Sequence, residues 1–157
     1  MTHIYKLTVK FNIKIVFFLS MIFLLYTKYN YAENQYTISN FSVHETKSLT
    51  TSKGYKFSIS QSIGNWQDNL GNYGKSKIIF YVEEFNENTV LKGLGELIDQ
   101  NKKKLWFVAE RESTLEAGVG NFNIIDADNK YDSIIKMRCV YAIKYLDDRS
   151  FLKVKCK

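Results

Sequence analysis

"CVYAIKYLDDRSFLKVKC", residues 139–156, decides the fold. Its two halves alternate apolar and polar side chains with a period of two, as a strand with one buried face does, and "DD" at 147–148 stands between them as a two-residue turn. With that turn fixed, Leu146 faces Arg149 and each later pair follows, so Cys139 falls opposite Cys156. One face gathers Cys139, Tyr141, Ile143, Tyr145, Leu152, Val154 and Cys156; the other gathers Lys144, Arg149, Lys153 and Lys155. Counting outward from the turn, 146 and 149 exchange hydrogen bonds and alternate pairs do not, which makes 139 and 156 a non-hydrogen-bonded pair. Such pairs bring Cα atoms to about 4.5 Å, within reach of a disulfide. A disulfide between Cys139 and Cys156 is therefore predicted, formed after the chain has left the reducing cytoplasm.

The same period runs upstream as far as Tyr55. "YKFSISQSI" puts Tyr55, Phe57, Ile59 and Ile63 on one face, and "KIIFYVEEF" sets Ile78, Phe80 and Val82 against Ile79, Tyr81 and Phe85. "VLKGLGELI", "LWFVAERE", "GNFNII" and "SIIKMRCVYAIKYL" read as further strands, separated by "DNLGNYG", "DQNKKK", "ESTLEAG" and "DADNKYD". The chain contains no Pro to interrupt them. Strands and turns at this spacing predict an all-β protein, an antiparallel meander barrel of about eight strands. The alternatives are a β-sandwich, or a barrel with one short helix. A helix over 87–99 is the candidate for that element, and Gly93 and Gly95 weigh against it by about 1 kcal/mol each. "GLG" and "GVG" lack the later Gly of a nucleotide loop and are expected to be kinks or bulges that help the sheet curl.

Upstream of the patterned region, residues 1–14 carry Lys6, Lys10 and Lys14 with no acid, and the apolar run "IVFFLSMIFLLY" (15–26) follows. That order reads as a secretory signal. As a helix the run makes about 18 Å, against the roughly 30 Å of hydrocarbon that a membrane span crosses. Cleavage is expected after Ala32, with an uncleaved anchor in the inner membrane as the alternative; either way the barrel is placed in the periplasm or beyond. Of the 22 basic residues, Lys6, Lys10, Lys14 and Lys28 lie in this leader, so the remaining 18 stand against 16 acids. A net charge near zero removes the main support for a nucleic-acid partner. The "KKK" at 102–104 reads as a solvated turn. The expected organisation is a signal peptide at 1–32, a poorly patterned segment at 33–54, and one barrel domain at 55–157.

Catalytic and metal chemistry are thinly supplied. "NIIDADNKYDSII" (123–135) brings Asp126, Asp128 and Asp132 together, but an EF-hand-type loop starting at Asp126 would have Lys130, Tyr131 and Met137 at positions 5, 6 and 12. Lys130 would place a positive charge on the ion, so the stretch reads as a polar hairpin turn and no metal is expected. Beyond the leader one histidine remains, His44, which cannot build a His-rich centre alone. Glu110 and Glu112 share a strand face, as a general acid and base would, but read as solvated strand-end residues. No catalytic residue and no cofactor is expected.

"GNWQDNLGNYGKSKIIF", from Gly64, resembles the first hairpin of avidin-type and lipocalin-type (calycin) barrels, through Gly64, Trp66, Leu70 and Gly71. The resemblance implies a calycin-like barrel and puts Asp68 and Asn72 at polar, ligand-facing places. "DNLGNYG", "EAGVGNF" and "YAIKYLDDRSFLKVKCK" together are similar to a group of short, uncharacterised secreted bacterial β-barrel proteins, which implies export and no activity. The leading expectation is non-catalytic binding of a small, largely apolar molecule inside the barrel by Trp66, Asp68, Asn72 and Tyr141. Trp66 by itself reads more readily as a core plug at one end of the barrel than as a ligand contact. An alternative is a filled barrel serving as an envelope interaction module. A third is an isomerase-like enzyme in a cup-shaped barrel.

Overall fold

Eight antiparallel strands follow one another around a closed barrel: β1 (Tyr36–Thr50), β2 (Lys56–Asp68), β3 (Tyr73–Phe85), β4 (Asn88–Asp99), β5 (Lys104–Ser113), β6 (Ala117–Ala127), β7 (Cys139–Leu146) and β8 (Arg149–Cys156). Strand β8 returns to β1, from Tyr36 opposite Cys156 to Val43 opposite Arg149, so the sheet has no free edge. The computed structural model describes residues 35–86, 88–113 and 117–157. The leader and its cleavage after Ala32 lie outside them. Among the described residues no helix is long and apolar enough to cross a membrane.

The C-terminal hairpin has the register its sequence dictates. Leu146 pairs with Arg149, Tyr141 with Val154 and Cys139 with Cys156. Asp147, in the two-residue turn, takes the left-handed φ of 57° that such a tight reversal needs. Tyr141, Leu152, Val154 and the two cysteines are buried, while Lys144, Arg149, Lys153 and Lys155 are exposed. The cysteines form a disulfide with Cα atoms 4.0 Å apart.

Other stretches depart from the sequence reading, each for a physical reason. The segment left outside the barrel, 33–54, supplies β1, which pairs with β2 from Ile38 opposite Asp68 to Thr50 opposite Lys56. Its inward positions beyond Ile38 are Asn40, Ser42, His44, Thr46 and Ser48, so a real alternation carries no hydrophobic signal. Strand β2 is turned the other way from its apolar pattern. Ile59 and Ile63 are more than half exposed, and Ser58, Ser60 and Ser62 face inward. A small barrel holds little volume, and serines on one wall leave room for Phe80, Phe107, Tyr141 and Leu152 from the others.

The helix alternative at 87–99 is replaced by β4. No bulge falls in β4 at its glycines: Gly93 and Gly95 sit in an unbroken ladder with β5. A Cβ on Gly95 would lie 2.2 Å from Cζ of Phe107, whose ring stacks on Phe122 with centroids 4.0 Å apart. Gly95→Ala is expected to destabilise the barrel by about 2 kcal/mol through overpacking, read as a lowered denaturant midpoint. The one register shift between β5 and β6 falls at Trp106/Phe107, where Phe107 is the β5 residue that faces Gly95, with Ile125 as the extra residue.

The β6–β7 connection also differs from a plain turn. Asn129–Ile134 forms a 3-10 helix, and β7 begins only at Cys139, so Ile134 and Ile135 lie in the connection rather than in a strand. Tyr131 and Ile134 are buried and plug one end of the barrel beside Tyr36, Ile38, Trp66, Leu97, Leu105 and Val154. Acids at the strand ends shape this closed end. Asp68 Oδ1 accepts from the amides of Leu70 and Asn72, and Asp99 Oδ1 accepts from those of Asn101 and Lys103, the same two-and-four spacing at two turns. Asp128 Oδ2 accepts from the Lys104 amide at the third. Lys130 Nζ then ties the turns together by donating to Asp99 Oδ2 at 2.5 Å and Asn72 Oδ1 at 2.7 Å.

The outer face is mixed. Ile59, Ile79 and Leu94 are more than half exposed, but Lys77, Lys92 and Lys153 face outward near the middle of their strands. Each such Lys would cost about 2–4 kcal/mol at a bilayer midplane, so this face does not make the continuous apolar band of a membrane barrel.

Candidate ligand-binding site

Because the hairpin turns alternate, the opposite end of the barrel is built from the far ends of the same strands, and there no plug is found among the described residues. The result is an open cup of about 380 Å³. Its wall comes from His44 and Thr46 of β1, Ser58 and Ser60 of β2, Phe80, Val82 and Glu84 of β3, Thr89 of β4, Arg111 of β5 and Tyr145 of β7, with Asp147 and Asp148 at the rim. Below it a residual void of about 30 Å³, room for one water, separates the cup from the packed core.

The polar groups in and beneath the cup fall into satisfied and unsatisfied sets. Across β1 and β2, Thr46 and Ser60 hydroxyls bond at 2.6 Å and Ser48 and Ser58 at 2.8 Å. Lys56 donates to Glu84 at 3.0 Å, so that cation and that carboxylate answer each other. Other polar groups stand alone. Among the described residues Thr89 Oγ1, Arg111 Nε and Nη1, Tyr141 Oη, Ser62 Oγ and both ring nitrogens of His44 are buried without a hydrogen-bond partner. Arg111 is 4% exposed, and among the described residues no carboxylate pairs with it.

Local sequence explains how an arginine is placed there. In β5 the inward positions are Leu105, Phe107, Ala109 and Arg111, so the guanidinium enters the barrel by simple alternation. Gly118 of β6 makes the space: a Cβ there would lie 2.5 Å from Cδ of Arg111. The β5–β6 ladder runs from Leu105 opposite Ala127 to Glu110 opposite Asn121 and goes no further among the described residues. Arg111 thus stands where the wall parts, with an outer cleft formed by Glu110, Glu112, Val119 and Gly120 behind it.

The titratable groups respond to this setting. Burial pushes the Tyr141 phenol up to about 12, against the opposing pull of the Arg111 charge. The Tyr145 phenol moves up for the same reason, again with Arg111 opposing. Burial lowers the His44 imidazole from its usual value, with the Asp148 charge acting in the other direction. At neutral pH the cup therefore presents neutral His44, Tyr141 and Tyr145 around one guanidinium.

Of the residues expected to bind a ligand, Tyr141 alone lies near this region, beneath the cup and lining the small void. Trp66, Asp68 and Asn72 are at the closed end, and their polar groups are already engaged. Trp66 is 3% exposed and its Nε1 donates to the Ile98 carbonyl; Asp68 accepts from Tyr36 Oη and Asn72 Nδ2; Asn72 accepts from Lys130. They brace the plug and do not reach the open cup. Of the acids of "DADNKYD", Asp126 accepts from the Ala127 amide and Asp128 from the Lys104 amide. Among the described residues no three His, Cys, Asp or Glu side chains gather as a metal site. Glu110 faces outward and pairs with Lys92 at 2.6 Å.

The residues that make the cup, His44, Thr89 and Arg111, were not singled out as a site by the sequence. One signal was present: a charged residue at the fourth inward place of the Leu105, Phe107, Ala109 series. No protein-family model matches the chain, and no curated protein matches it.

Proposed function

We propose that the protein is an exported, non-catalytic binder that holds a small molecule in the open end of its barrel. The observation that carries this reading is the contrast between the two ends. At the closed end Lys130, Asp99, Asp68 and Asn72 satisfy one another, whereas the cup keeps about 380 Å³ of space beside buried polar groups with no partner. Buried polar groups are ordinarily paired, and a concave site with a few convergent unpaired ones suits a ligand. Phe80, Val82 and Tyr145 give the ligand an apolar wall. The basic, apolar leader and the Cys139–Cys156 disulfide support export.

Native mass spectrometry of the protein gently released from its cell envelope tests the reading. A reproducible small-molecule adduct is expected, and bare protein in every preparation would overturn it. A second reading, an envelope interaction module, is favoured by an outer groove of about 420 Å³ lined by Phe57, Ile59, Ile79, Tyr81 and Leu94. A retained protein partner without a small-molecule adduct would support that reading instead.

A further inference from the structure

We propose that the cup binds a monoanionic carboxylate, with its head on the Arg111 guanidinium and its apolar body against Phe80, Val82 and Tyr145. The inference rests on the ligand-binding reading above and names the chemistry of the ligand. A guanidinium stays charged at any physiological pH, and a buried charge without a counter-charge is a cost the fold leaves standing. The other cations reaching the interior have acids supplied by the chain, Glu84 for Lys56 and Asp99 for Lys130. Arg111, 4% exposed, has none among the described residues, and its Nε and Nη1 are both free. On the planar guanidinium, Nε–H and the Nη2 on its side form the edge that matches the two oxygens of a carboxylate, and Nη1 adds a donor on the other edge.

Thr89 supports the same place. It lies on β4 one diagonal step from Arg111, since Leu91 pairs with Arg111, and its buried Oγ1 has no partner. The remaining charges choose between anions. Among the described residues Glu84, Asp147 and Asp148 share the cup with only Lys56 and Arg111, and Lys56 is committed to Glu84. A dianionic phosphate would meet uncompensated acids, whereas a single carboxylate balances the single free guanidinium.

Octanoate, 1-octanol and inorganic phosphate are suitable calorimetric probes against the wild-type protein, Arg111→Met and Arg111→Lys. Octanoate is expected to bind the wild type at least tenfold more tightly than octanol or phosphate does. Arg111→Met is expected to weaken octanoate at least tenfold and, without ligand, to melt several degrees higher because the unpaired charge is gone. Arg111→Lys keeps the charge but not the fork and is expected to weaken octanoate by a smaller factor; should the Met variant not fold, this weakening relative to wild type decides. Equal binding of octanoate and octanol, unaffected by either substitution, would overturn the carboxylate assignment while leaving ligand binding intact. Preference for phosphate would also overturn it, as would failure of all three probes to bind, and a small-molecule adduct in native mass spectrometry would then show that the broader reading survives.

Discussion

Replacing Asp99 with alanine is expected to destabilise the barrel by about 3 kcal/mol, the lower end of what breaking a buried charge pair costs, because Lys130 retains some solvent contact. The carboxylate has no exposed surface and accepts from Lys130 Nζ, Tyr131 Oη and the amides of Asn101 and Lys103. Its loss leaves the Lys130 ammonium with the neutral Asn72 oxygen and no counter-charge, takes the acceptor from the Tyr131 phenol, and releases the β4–β5 turn, where Lys102 already takes a left-handed φ of 63°. Chemical denaturation should show the lowered midpoint. A near-wild-type midpoint would mean that the closed end does not depend on this network.

The same residue sets an acid dependence. Burial alone would raise the Asp99 carboxyl, but the Lys130 ammonium, the two amides and the Tyr131 hydroxyl outweigh it and hold it at about 2, below its ordinary 3.8. The folded state therefore prefers the ionised form. The stabilisation is fully present above about pH 4 and is lost as pH falls through about 2, on the order of 2 kcal/mol. The wild-type denaturation midpoint should fall across that window, and Asp99→Ala should lose correspondingly less.

Removing the disulfide is the second large effect. A double substitution, Cys139→Ala with Cys156→Ala, is expected to lower stability by roughly 3 kcal/mol, the loop-closure value for the 17-residue separation. Cys156 also faces Tyr36 across the β1–β8 seam, so the bridge anchors the strand that closes the barrel. The register should persist without it, since Tyr141, Leu152 and Val154 remain buried on the same face. Circular dichroism of the unaltered β-signal together with a lowered guanidinium midpoint would show both. Loss of the β-signal under native conditions would mean that the bridge, rather than the side-chain pattern, defines the hairpin.

The hairpin was legible because three signals in 139–156 agree: alternation, a two-residue turn and cysteines at matching distances from it. Seven strands, β2 to β8, were legible because turns rich in Asp, Asn and Gly punctuate the alternation. Strand β1 was hidden because its interior residues are Asn, Ser, His and Thr, which carry no hydrophobic period. The inward face of β2 was not legible because hydrophobicity names a core face only when the interior has room, and here Ile59 and Ile63 give way to serines. The tryptophan hairpin was legible as a barrel opening, but its Trp66 seals rather than lines. Arg111 was opaque for a different reason. At a strand end a lone arginine looks solvated, and only closure of the other strands around it, with Gly118 alongside, buries it.

The most direct test of the central claim, that the open end is the binding end, is a chemical-shift titration with octanoate. The two ends carry separate reporters: the Arg111 Nε–H and Tyr145 ring in the cup, the Trp66 indole Nε1–H bonded to Ile98 at the plug. Saturable shifts are expected for Arg111, Thr89, His44 and Tyr145 with Trp66 unmoved. Shifts centred on Trp66, Asp68 and Asn72, or on the outer groove at Leu94, with Arg111 unmoved, would contradict it.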